Sequence, residues 1–143
     1  MNSLQIALCI FIFIEFLNIC ILYFKPISKK GNGVGIFNDY HELVNDSKYK
    51  DFVNYLVNWV AGTKLIFILI GIVVVVFGNY NTQLFSVVAL IISILSFYWK
   101  LYPTIKKLDS DGAINPKGYH KTLNLMILTI ILGFLTVLLA NIN

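Results

Sequence analysis

WVAGTKLIFILIGIVVVV, residues Trp59–Val76, is the stretch whose reading decides the fold. As a helix it rises about 27 Å, close to the roughly 30 Å of hydrocarbon in a bilayer. Its single ionisable residue is Lys64. An unpaired amine in lipid is costly, so Lys64 needs either a partner or a route to the interface.

The rest of the chain has the same character. It is 58% hydrophobic and 13% charged over 143 residues, whereas a soluble domain carries about a quarter charged residues. The length suits one compact unit. Four stretches are apolar enough to span: about 4–24, 59–78, 84–102 and 122–142. The expected fold class is an all-α membrane protein. Four transmembrane helices form a single compact bundle over residues 1–143, with a short interfacial amphipathic helix between the first and second spans. The first span contains Glu15, has no lysine before it and lacks a small-x-small site after it. It therefore reads as a retained span, not a cleaved signal.

All eleven basic residues are lysines. Without arginine there is no guanidinium fork for phosphate. Segment 25–58 holds Lys25, Lys29, Lys30, Lys48 and Lys50, and segment 103–121 holds Lys106, Lys107, Lys117 and Lys121, with Lys100 just before it. The Asn79–Thr82 connection and the C-terminal tail hold none. The positive-inside rule then places both lysine-rich segments in the cytoplasm and both termini outside. The expected location is a bacterial cytoplasmic membrane. Tyr23, Trp59, Tyr98, Trp99, Tyr102 and Tyr119 fall near the inner ends of spans, where aromatic belts form.

Local signals mark the connections. Gly78 is positioned to close the second span in a left-handed conformation, and Thr82 to cap the third. Tyr102–Pro103 marks the end of span three. Asn115–Pro116 reads as an N-cap with proline at the first helical position of span four. Asn38 is placed to cap the interfacial helix, part of 39–58, with Asp39 and Glu42 in its first turn.

Away from the span ends, where Lys100 sits, Glu15 and Lys64 are the only charges in the spans, and their signs are opposite. If span two meets the interface near Tyr55, both lie about 13 Å from the inner boundary. They would form an intramembrane pair, with Asn18 one turn from Glu15 as a hydrogen-bond partner. If the span begins at Trp59, Lys64 is about 7 Å deep and its stem can snorkel outward. The two readings stand side by side at this point.

Other motifs carry less. GNGVG, Gly31–Gly35, departs from the GxGxxG spacing of a dinucleotide loop and follows a span. It reads as a flexible linker or a close approach to lipid headgroups. LDSDGAI, Leu108–Ile114, resembles the middle of a calcium loop. Lys107 and Gly118 then fall where the anchoring carboxylates belong, so a tight polar turn is expected. His41 and His120 show no zinc spacing. Cys9 and Cys20 lie about 16 Å apart along one helix, too far to pair. No catalytic, metal or cofactor site is expected. Lys117, Tyr119, His120 and Lys121, with Lys29 and Lys30, are candidate contacts for anionic headgroups of the cytoplasmic leaflet.

Two classes of function remain. The first is a non-catalytic membrane component of accessory or immunity type. Its expected partners are membrane lipids, another membrane protein or a second copy of the chain, with no nucleic acid. The second is an oligomeric transporter or channel using Glu15 and Lys64. An enzyme acting on lipid headgroups is the least favoured. A pathway would have to draw on Thr63, Ser86, Ser93, Ser96, Asn124, Thr129 and Thr136 as well. Ser86, Ser93 and Ser96 share one helix face.

Overall fold

The chain starts its first helix with a reciprocal cap. The Asn2 side chain accepts the Gln5 N–H at 2.7 Å, and the Gln5 side chain accepts the Asn2 N–H at 3.0 Å, which satisfies two otherwise orphaned donors. α1 then runs from Ser3 to Phe24. In the computed structural model, which describes residues 1–142, it is followed by α2 (Asn38–Asn45), α3 (Lys50–Phe77) and α4 (Tyr80–Leu95). A 3₁₀ turn (Ser96–Tyr98), α5 (Leu101–Ser110) and α6 (Tyr119–Ile142) complete it. Among the described residues there is no strand, only an isolated bridge between Phe37 and Ile114.

Four helical runs are long and apolar enough to cross a membrane: Ser3–Phe24, Lys50–Phe77, Tyr80–Ser110 and Tyr119–Asn141. The third run carries no charge from Tyr80 to Trp99, after which Lys100, Lys106, Lys107 and Asp109 follow. α5 therefore lies beyond the span. Large apolar side chains face outward on all four runs, including Phe13, Ile66, Phe85 and Leu132. In water such a surface would aggregate; in lipid it is the solvated face. These are the features of a small integral membrane protein.

α1 and α4 each touch the other three long helices, so α3 and α6 occupy opposite corners. The main core comprises Leu4, Leu8 and Phe11 of α1, Val87, Leu90 and Ile91 of α4, and Phe134 of α6. Phe11 is its hub, edge-on to Phe134 at 5.3 Å and to Phe67 of α3 at 6.1 Å. A second, smaller core of Ile36, Ile105 and Ile114 lies outside the spans. There the two lysine-rich segments dock. Asn38 N–H donates to the Ala113 carbonyl (2.9 Å) and Asn115 N–H to the Ile36 carbonyl (2.8 Å).

Several boundaries differ from the sequence expectation, each for a local reason. α3 begins at Lys50, two turns before Trp59, and α2 is a separate element. The Asp46 carboxylate accepts the Lys48 N–H at 2.8 Å, holding a turn between them. Gly78 is extended, at φ −70° and ψ 134°, not left-handed. Glycine is required there by space: an added Cβ would lie 2.3 Å from the Val74 carbonyl oxygen. α4 starts at Tyr80, and its cap is Asn79, which accepts the Thr82 N–H at 2.9 Å.

Pro103 opens a helix instead of closing one. It cannot donate to the Trp99 carbonyl, and within a continuous helix its ring would clash there. The helix breaks one turn earlier, and Pro103 sits in the first turn of α5, where no N–H is missed. Asn38 does not cap α2, whose N-cap is Phe37. Its side chain donates instead to the Gly112 carbonyl at 2.9 Å. Residues 31–35 form no loose linker. Gly33 and Gly35 are buried, with Val34 N–H bonded to Pro26 and Gly35 N–H to Ser28. A Cβ on Gly35 would fall 1.8 Å from the Ile27 carbonyl oxygen.

Candidate functional site

The first candidate lies between α1 and α3. Glu15 sits on the α1 face turned toward α3, and Lys64 on the facing side of α3, beside the buried Ala61 and the small Gly62. Small residues allow such close helix contact. Lys64 Nζ donates to Glu15 Oε2. The side chains are 28% and 15% exposed, so the contact is shielded but not sealed. Asn18 Nδ2 reaches Glu15 Oε1 at 3.5 Å, the long limit of a hydrogen bond. The structure thus brings Glu15, Lys64 and Asn18 together, and the Lys64 amine ends on a carboxylate, not at the interface. Gly31, at φ +57°, packs over Asn18, where a Cβ would approach Asn18 Oδ1 to 2.7 Å.

The second candidate lies where α5 meets α6. Asp109 is 2% exposed yet fully engaged. Its Oδ1 accepts the Gly118 N–H at 2.9 Å, and Oδ2 accepts the His120 N–H at 3.0 Å and His120 Nδ1 at 2.5 Å. It therefore caps α6 from a different helix, whereas the sequence points to Asn115–Pro116. Those residues lie in the turn before α6, three positions short of its start. The hydrogen bonds from His120 N–H and Gly118 N–H, then from the His120 ring, lower the Asp109 pKa to about 2. The ionised carboxylate only accepts, so Nδ1 carries the proton it receives and Nε2 is left for other contacts.

Lys106, Ser110, Lys117, Gly118, His120 and Lys121 join Asp109 around a cavity of about 300 Å³. Of the candidate headgroup residues, Lys117, His120 and Lys121 meet here. Tyr119 turns away to pack on the Ile36–Ile105–Ile114 cluster. Lys29 and Lys30 are exposed on the 25–37 loop and do not line this cavity. Asp109 and Asp111 do not converge as calcium ligands would: Asp109 is buried and Asp111 exposed. His41 Nε2 lies 3.1 Å from the Gly35 carbonyl oxygen. Among the described residues, no three His, Cys, Asp or Glu side chains gather in a group able to hold a metal.

Two polar clusters escaped sequence reasoning. One is the Asp109 hub, which has no local motif because its partners lie nine and eleven residues away. The other ties the terminal end of the bundle. Gln83, 2% exposed, accepts from Asn2 Nδ2 and donates to the Gly78 carbonyl, both at 2.9 Å. Tyr80 donates its hydroxyl to the Asn141 carbonyl at 2.5 Å, and Asn141 Nδ2 donates to Ser3 at 2.7 Å. A lone amide in an apolar run was the only available signal for Gln83.

No known protein family, curated protein or solved structure matches this chain.

Proposed function

We propose that the protein is a non-catalytic component of a bacterial cytoplasmic membrane that acts by binding another membrane protein or lipid. Both termini lie outside, and the lysine-rich cap built from segments 25–58 and 103–121 faces the cytoplasm. The observation that carries this reading is the contact between Glu15 and Lys64. The two intramembrane charges neutralise each other, leaving no free charge in the spans for a translocated ion or substrate.

The remaining polar groups support it. Ser86, Thr129 and Thr136 each donate to a carbonyl of their own helix, and Ser96, in the 3₁₀ turn, donates to the Ser93 carbonyl of α4, which satisfies them without a pathway. Ser93 and Ser96 are exposed, so the serine face does not point into the bundle of a single chain, and the recess that Ser86 and Ser93 line is otherwise walled by apolar residues and Gly71. The larger recesses are apolar grooves on the outside of the bundle. One runs between α1 and α6 past Ala7, Phe11 and Gly133, and one between α1 and α3 past Cys9 and Ile72. Such surfaces suit acyl chains or the side chains of a partner helix.

Reconstitution in liposomes tests the reading. Ion and proton flux should match that of protein-free vesicles. Sustained flux abolished by Glu15→Gln would instead establish the oligomeric transporter or channel.

A further inference from the structure

The cavity between α5 and α6 differs from the other basic surface of the protein. Its lysines come from three separate places: Lys106 on α5, Lys117 in the intervening turn and Lys121 in the first turns of α6. They are brought to one concavity because Asp109 pins the start of α6 against the end of α5. The carboxylate keeps its negative charge, but both its oxygens are already engaged by donors, and it stands as one anion against three lysines. It fixes the His120 ring on one side and leaves three lysines as the dominant field.

We infer that this pocket holds a phosphate group, carried on an anionic lipid headgroup or free in solution. The inference deepens the proposed function, since it rests on the lysine-rich end meeting the cytoplasmic leaflet. Lysine binds phosphate as a mobile point charge where arginine would bind as a fork, so the absence of arginine is no obstacle. Lys106, Lys117 and Lys121 supply ammonium donors and His120 lines the wall, while the Ser110 hydroxyl is already donated to the Lys107 carbonyl at 2.7 Å. Lys121 and His120 lie at the start of a spanning helix, the level at which headgroups sit. Apart from the His120 imidazole no aromatic ring lines the cavity. A base therefore has no stacking platform, which favours a headgroup or simple phosphate over a nucleotide. Asp109 acts as a positioning residue.

The test uses the full chain in detergent micelles. Native mass spectrometry measures retention of phosphatidic acid, phosphatidylglycerol and phosphatidylcholine, and thermal unfolding is followed with inorganic phosphate. Two variants remove equal charge: Lys106→Gln/Lys117→Gln/Lys121→Gln in the pocket, and Lys25→Gln/Lys29→Gln/Lys30→Gln on the neighbouring loop. Neither touches the Asp109 cap. Phosphatidic acid, a monoester of higher charge, should be retained best. The pocket variant should lose about tenfold or more in affinity, and the loop variant about twofold at most. Stabilisation by inorganic phosphate, lost in the pocket variant and with no preference for phosphatidic acid, would support the site and assign it to soluble phosphate. Equal losses in both variants would reduce the effect to general surface charge and overturn the pocket. Unchanged binding in the pocket variant would overturn it as well. Either result leaves the flux experiment, and the reading it tests, untouched.

Discussion

Lys64 shows what a single residue can and cannot reveal before a structure exists. Opposite charges at similar depths in consecutive antiparallel spans are readable in the sequence. The choice between pairing and snorkelling is not, because it turns on where α3 begins, and the start at Lys50 is set by the Asp46 turn. With Nζ on Glu15, removing either partner leaves a charge in apolar surroundings. A fully buried pair would lose about 3–5 kcal/mol. Lys64 is 28% exposed, so about 1–3 kcal/mol is expected here. Lys64→Met and Glu15→Gln should each lower stability by that amount in bicelles, and the double variant should recover much of it. The four proteins form a double-mutant cycle. Additive losses would mean that the contact contributes nothing to the fold.

At the level of elements, spans were legible and their junctions were not. An apolar run announces a membrane helix by length alone. Where that helix stops depends on a few contacts, some from distant residues. Pro103 was readable as a breaker, but the break had to fall one turn earlier to spare the Trp99 carbonyl. The start of α6 was harder still, because its cap is Asp109 on α5. The consequence is a pH dependence with a defined sign. The folded-state pKa of Asp109, about 2, lies below its ordinary value of 3.8. Its stabilisation is therefore fully present above the unfolded pKa and is lost as pH falls through the folded one. Thermal unfolding of the parent should weaken between about pH 4 and about pH 2. Asp109→Asn should start lower and respond less across the same window. Parallel curves would mean the carboxylate does not hold α6 in its charged form.

At the scale of the whole molecule, the lysine distribution and the four apolar runs were readable from composition, and the four helices follow them. The docking of segment 36–38 onto 113–115 was not. It rests on one isolated bridge and three isoleucines, too few for any periodic pattern. That docking makes the lysine-rich segments one cap, and what the cap can bind depends on which side of the membrane it faces. Site-directed labelling answers this directly. In a background of Cys9→Ala and Cys20→Ala, single cysteines are placed by Asn32→Cys in the cap and Asn81→Cys at the start of α4, both exposed positions. A membrane-impermeant maleimide should label Asn81→Cys in intact bacterial cells and Asn32→Cys only after permeabilisation. Labelling of Asn32→Cys in intact cells, with Asn81→Cys protected, would contradict the orientation and the cytoplasmic role of the cap with it.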